Sequence, residues 1–221
     1  MSKTVVITGA NRGIGLSFCR LYQARGYNVY AVCREASPEL KSLGVQVIDA
    51  VDVSQKQGIA RLASALEAVN VDLLINNAGI LRNEVLGDID PDSIRQQFEV
   101  NALAPLLVAE ALMDQLAPDA KVALISSRMG SVTDNTSGGH YGYRMSKAAL
   151  NIAGVSLAQD LTPRGVAVAI LHPGLVGTEM VGGHGDITPD EAADRLAQRI
   201  DALTLSSSGT FWHSNGDVLP W

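Results

Sequence analysis

Cysteine is nearly missing from this chain, with two thiols, Cys19 and Cys33, in 221 residues. Neither stands at a metal-ligand spacing, and the four histidines, His140, His172, His184 and His213, are scattered. A disulfide scaffold and a zinc site are therefore not expected. Positive charge is also short. Lys and Arg number 17 against 23 Asp and Glu, a net charge of −6, and there is no basic run. That field is wrong for binding nucleic acid or an anionic membrane surface. No apolar run reaches the length of a membrane-spanning helix. The opening Met1–Ile7 turns strand-like too quickly for a secretory leader, so a cytoplasmic protein is expected. Internal repeats, low-complexity tracts and linkers are missing too, which points to a single domain over 1–221. What is abundant is apolar side chain, 47% of residues against 18% charged, enough for a large core.

That apolar content comes in alternating patterns. Short runs without polarity alternation predict strands at Thr4–Thr8, Asn28–Cys33, Val45–Ile48, Val71–Ile75, Val122–Ser126, Val166–Leu171 and Thr210–Trp212. Between them, apolar residues at helical spacing predict helices. Ile14, Phe18, Leu21 and Tyr22 make one stripe, closed by Gly26, and Ile59, Leu62, Ala63 and Leu66 make another. Further helices are expected within Ser93–Leu116, where one or two fit, and at Tyr143–Leu161 and Pro189–Leu203. Strands apolar on both faces and separated by helices require a parallel sheet covered on both sides. The expected fold is thus α/β, a doubly wound Rossmann-type sheet of about seven strands in the order 3-2-1-4-5-6-7. The irregular stretches 80–92, 128–141 and 174–188 follow the fourth, fifth and sixth strands. They should gather at the carboxyl edge, where ligands bind in this architecture.

Two motifs carry chemistry. Thr8-Gly9-Ala10-Asn11-Arg12-Gly13-Ile14-Gly15 follows the first strand and opens the first helix. Its glycines allow a tight turn and a close backbone approach to a pyrophosphate, and the helix start offers unpaired N–H groups. In Tyr143-Arg144-Met145-Ser146-Lys147, a phenol and an ammonium share one helix face a turn apart. A cation beside a phenol favours phenolate and makes proton exchange near neutral pH possible. Tyr141 has Met145 at the corresponding place, which supplies no cation, and reads as a pocket-wall aromatic.

The glycine spacing G-x-x-x-G-x-G, taken with Tyr143 and Lys147, resembles the short-chain dehydrogenase/reductase superfamily over nearly the whole chain. The resemblance implies an adenine contact at Asp52-Val53 and a structural turn at Asn76-Asn77-Ala78-Gly79. It implies a catalytic set of Asn101, Ser127, Tyr143 and Lys147, and a nicotinamide-side segment in Pro173-Gly174-Leu175-Val176-Gly177-Thr178. The expected cofactor contacts are Gly9, Asn11, Arg12, Gly13, Ile14, Gly15, Arg34, Asp52, Val53, Asn77, Ala78, Gly79, Tyr143, Lys147, Pro173, Gly174, Val176 and Thr178. Ser126 and Ser127 both end the fifth strand, and a doubly covered strand gives no pattern to separate them. The family motif puts its serine second, at Ser127. Tyr141–Asn151 and the closing segment Ser208–Trp212 with Gly216 and Leu219-Pro220-Trp221 resemble the small C-factor and Sniffer-type carbonyl reductases.

That resemblance implies hydride transfer between a nicotinamide and a carbonyl or alcohol carbon, with Tyr143 as general acid/base, Lys147 lowering its pKa, Ser127 bonding the carbonyl oxygen and Asn101 supporting a water that reaches Lys147. Cys33 stands where NAD-binding relatives carry an acid, and Arg34 and Arg12 suit a 2′-phosphate, so NADP(H) is expected. Glu35 beside Arg34 would partly offset that charge. The apolar run Ala148–Ala158 wants a partner on its second side. With superfamily habit, this predicts a homodimer through helices near 93–116 and 143–161. The expected partner is otherwise a small carbonyl or alcohol substrate. The rival reading is an NADP(H)-binding regulatory or signalling protein with little turnover.

Overall fold

The computed structural model describes residues 2–221. Seven strands form one parallel sheet: β1 Thr4–Thr8, β2 Asn28–Val32, β3 Gln46–Ile48, β4 Val71–Asn76, β5 Leu116–Ile125, β6 Ala167–His172 and β7 Phe211–His213. Their order is β3-β2-β1-β4-β5-β6-β7, as the alternation of patterns led us to expect. The helices are α1 Gly13–Ala24, α2 Pro38–Ser42, α3 Lys56–Ala65, α4 Pro91–Phe98, α5 Ala104–Ala111, α6 Tyr141–Leu161 and α7 Pro189–Ala202.

The absence of polarity alternation in the strands has a simple cause. Successive side chains enter opposite cores, so both must be apolar. Val5, Ile7, Ala31, Ile75, Ala169 and Leu171 pack with Phe18 and Tyr22 of α1 and Leu196 and Ile200 of α7. Their neighbours Val6, Val32, Leu74, Val122, Leu124 and Ile170 pack with Leu62, Val108, Leu150 and Leu161 on the other side. Most of these side chains are wholly inaccessible to solvent.

Three local features depart from expectation. The stretch 93–116 holds the two helices allowed for, joined by an unexpected turn. It is α4, then a π-helical turn at Glu99–Leu103, then α5. Pro105 has no N–H to give the carbonyl of Asn101 four residues back, so the backbone widens there. Leu116 belongs to β5, which starts six residues before the expected Val122. Pro118 and the left-handed Asp119 (φ 62°) interrupt the apolar pattern, and the pairing with β4 slips between Val71 and Leu73. Finally, Pro38–Ser42 forms a short helix that no apolar stripe announces. It is started by Ser37, whose hydroxyl accepts from the Leu40 N–H at 3.2 Å.

Candidate active site

A crevice opens beyond the carboxyl ends of β1, β2, β4, β5 and β6, at the switch in strand order. Its floor is the glycine loop. Gly9 (φ 65°) and Gly13 (φ 54°) adopt left-handed backbone that other residues resist. A Cβ on Gly9 would lie 2.8 Å from the Ala78 Cα, and one on Gly13 3.3 Å from the Thr178 methyl. The loop is held open from across the sheet. The Asn77 side-chain amide donates to the carbonyls of Thr8 and Gly9 at 3.1 and 3.2 Å, and the N–H groups of Asn77 and Ala78 donate to the Thr8 hydroxyl at 3.0 and 3.1 Å. Backbone is thus exposed at the start of α1, a fitting cradle for a pyrophosphate.

Of the expected cofactor contacts, Gly9, Asn11, Arg12, Gly13, Ile14, Arg34, Asp52, Val53, Asn77, Ala78, Gly79, Tyr143, Lys147, Pro173 and Thr178 line this crevice. Gly15, Gly174 and Val176 do not. Gly15 serves packing instead, since a Cβ there would meet the Gly9 carbonyl oxygen and the Asn77 amide. Val176 is buried and bridges to Ile187. Asp52 accepts from the Ser54 N–H (3.0 Å) and hydroxyl (2.7 Å), which fixes its carboxylate at the rim. Arg34 is exposed there and enters no ion pair among the described residues, with Glu35 or any other acid. Arg12 is different: its guanidinium pairs with Glu179 at 2.6 Å, from the loop after β6. Val32, Cys33, Val51, Ile80, Val100, Ile125, Ser126, Glu179 and Met180 complete the lining and were not among the expected cofactor contacts, whereas Asn101 and Ser127 stand behind it. Apolar loop residues carry no signal that separates lining from packing.

The four expected catalytic side chains come together on α6 and its neighbours. Tyr143 and Lys147 are both buried, with the Lys147 Nζ 5.7 Å from the Tyr143 ring centre. Lys147 donates to the Ile125 carbonyl at 2.9 Å. Ser127 begins a single turn of 3₁₀ helix, where its hydroxyl accepts from the Met129 N–H at 3.2 Å. The same hydroxyl lies near the Tyr143 phenol. Ser126, which lines the crevice, donates to Asn151 Oδ1 on α6 at 2.6 Å. The two serines that sequence could not separate therefore differ in partner, Ser126 bonding Asn151 and Ser127 the Met129 N–H. Asn101 sits in the π turn with its amide engaged. Its Oδ1 accepts from the Ile80 N–H, and its Nδ2 donates to the Ile80 carbonyl, both at 2.8 Å, and to the Ser146 hydroxyl at 3.0 Å. Ser146 donates in turn to the Tyr143 carbonyl at 2.8 Å. Tyr141 lies at the exposed start of the helix.

Burial governs the protons here. Desolvation pushes the Tyr143 phenol up to about 12, with the Ser127 hydrogen bond pulling the other way. Desolvation pulls the Lys147 ammonium down to about 8. Burial of the phenol is the larger effect, and the ammonium beside it faces the Ile125 carbonyl and is itself disfavoured by burial. At neutral pH the pair is a protonated phenol beside an ammonium, an arrangement fit to donate a proton.

The comparisons with known proteins agree with this geometry. A family model described as short chain dehydrogenase matches residues 3–188. The 1-hydroxy-2-glutathionyl-2-methyl-3-butene dehydrogenase of Rhodococcus sp. (strain AD45) is 42% identical over 224 residues, which cover 99% of each chain. The NADPH-bound carbonyl reductase from chicken fatty liver superposes with a TM-score of 0.89 at 29% identity, covering 100% of this chain and 99% of that one. Carbonyl reductase Sniffer of D. melanogaster gives a TM-score of 0.93 at 25% identity, with both chains fully covered. Carbonyl reductases are thus among its structural neighbours, and this chain belongs to the short-chain dehydrogenase family, as an oxidoreductase acting between CH–OH and C=O carbons.

Proposed function

We propose that this chain is an NADPH-dependent carbonyl reductase in which Tyr143 supplies the proton. The observation that carries this reading is the buried, protonated Tyr143 phenol on the wall of the glycine-loop crevice, with the Ser127 hydroxyl beside it. A bound nicotinamide would supply the hydride. The chain's own groups do the rest. N–H groups at the start of α1 hold the pyrophosphate, and Asp52 and Val53 flank the adenine. Arg34 pairs with the 2′-phosphate. Arg12 must divide itself between that phosphate and Glu179. Asn77, Ala78, Gly79, Pro173 and Thr178 wall the nicotinamide end. Tyr143 gives its proton to the carbonyl oxygen as charge develops there, while the Ser127 O–H donates to the same oxygen. Lys147 restores the phenol's proton and holds the nicotinamide ribose, and Asn101 fixes the start of α6 against the loop after β4.

The likeness to an NADPH-bound carbonyl reductase supports the cofactor and the direction. The likeness to the Rhodococcus enzyme favours a second reading, oxidation of a hydroxyl group on a bulky thioether. We further propose a homodimer. Phe98, Leu106, Met113 and Ile152 lie exposed on α4, α5, the turn after α5, and α6. Among the described residues no helix is long and apolar enough to cross a membrane, in keeping with a cytoplasmic enzyme.

Oxidation of NADPH with a panel of aldehydes, ketones and quinones tests the reading. Turnover on at least one class, with NADH much poorer and Arg34→Ala erasing that preference, is the expected result. Cofactor binding with no turnover in either direction would favour a regulatory protein. Turnover only from alcohol to carbonyl would favour the second reading.

A further inference from the structure

Glu84 is a buried carboxylate that neither the glycine loop nor the catalytic set uses. It lies in the loop after β4, and three donors converge on it. Its Oε1 accepts from the Ser93 hydroxyl and from the Gln97 side-chain amide, both at 2.6 Å. Its Oε2 accepts from the N–H of Gly142 at 3.0 Å. Its backbone carbonyl accepts from the His140 N–H, also at 3.0 Å. Gln97 is wholly buried, and its Oε1 accepts in turn from the Arg82 N–H at 3.0 Å.

Helix α6 needs this partner. The residue before it, His140, adopts left-handed backbone (φ 49°) and supplies no side-chain cap. The first N–H groups of a helix have no partner within it, and a carboxylate there meets both the unpaired donor and the positive end of the dipole. Glu84 fills that place from another part of the chain. Gly142 lets it come close, since a Cβ there would lie 2.5 Å from the Gln97 amide nitrogen and 3.1 Å from Glu84 Oε2. The next residue is Tyr143.

We propose that Glu84 is a positioning residue: a cap from the loop after β4 that sets where α6 begins and so where the Tyr143 hydroxyl stands over the crevice. The proposal rests on Tyr143 being the proton donor. The contacts also make it testable by exchange of partners. An ionised carboxylate accepts only, whereas an amide has one donating and one accepting end. In Glu84→Gln, one end of the new amide must face a donor, either Gln97 or Gly142. Turning Gln97 over would leave the Arg82 N–H facing a donor instead. Adding Gln97→Glu puts the carboxylate on the other side of the same contact, so that the Gly142 and Arg82 N–H groups keep their acceptors and the Ser93 hydroxyl, which can accept as well as donate, receives from the new amide.

The experiment measures kcat, KM and NADPH affinity for Glu84→Gln, for Glu84→Gln with Gln97→Glu, and for Ser93→Ala. Displacing a proton donor by a fraction of an ångström costs about tenfold or more in kcat. The single variant should show that loss with NADPH affinity unchanged. The exchanged pair should recover most of it, and Ser93→Ala, which leaves Gly142 capped, should stay close to wild type. Should Glu84→Gln not fold, Gly142→Ala carries the test, because its Cβ pushes Glu84 off the helix start, and the same selective loss of kcat is expected. A folded Glu84→Gln with wild-type kcat overturns the proposal. So does a loss shared equally by Ser93→Ala, or one that the exchanged pair fails to recover. If Tyr143→Phe itself retains full turnover, the reading of the site falls first; if only the Glu84 variants behave as wild type, the cap alone is wrong.

Discussion

Replacing Lys147 by Met should change how stability depends on pH, and the structure gives the sign and size. Lys147 is buried, and its ammonium is lowered from an ordinary 10.5 to about 8. Folding therefore disfavours the charged form. Below pH 8 the folded chain carries that cost in full. As pH rises from 8 toward 10.5, the folded lysine releases its proton before the unfolded one does, and the wild type gains stability. At one pH unit per 1.36 kcal/mol, the cost is about 3 kcal/mol at pH 7 and about 1.4 kcal/mol near pH 9.5. Met fills similar volume and does not titrate. The difference in unfolding free energy between wild type and Lys147→Met should then move by about 2 kcal/mol in favour of wild type over that window. The Ile125 carbonyl loses its donor in the variant, but that shifts both ends equally. Nearby groups cancel in the comparison: folded His172, held near 3, and folded Tyr143, near 12, do not titrate in the window, and the unfolded tyrosine, near 10, titrates alike in both chains. Urea unfolding of both proteins across the window reads this directly. A difference flat to within about 0.5 kcal/mol would refute the claim that burial disfavours the ammonium.

Two further outcomes test the scaffold. Gly15→Ala should abolish NADPH binding, measured by fluorescence titration, because its Cβ would drive into the Gly9 carbonyl and the Asn77 amide that hold the phosphate loop. Leu124→Ala should lower the unfolding free energy by about 2–5 kcal/mol, read by urea denaturation, since that side chain is fully buried at the centre of the sheet.

The sheet was legible because its seven strands are buried on both faces, and that burial writes itself as apolar runs such as Val166–Leu171. The glycine loop and the Tyr143–Lys147 pair were legible because their geometry follows from spacing along one chain segment. What could not be read lies between segments. Nothing local separates Ser126 from Ser127; the first finds its partner Asn151 only once α6 packs against β5. The pairing of Arg12 with Glu179, which arrives from a distant loop, has no signal in its own segment. Glu84 reads as one more surface acid, and only assembly brings Ser93, Gln97 and Gly142 around it. Spacing reports the cation beside the phenol, but the desolvation that raises the phenol's pKa belongs to the packed crevice.

The proton-donor assignment is tested most directly by comparing Tyr143→Phe with Tyr141→Phe in single-turnover NADPH oxidation, alongside the NADPH dissociation constant of each. The account predicts a fall of roughly 10²-fold or more for Tyr143→Phe at unchanged cofactor affinity, and little change for Tyr141→Phe. Full turnover by Tyr143→Phe, or the reverse ranking of the two variants, would contradict it.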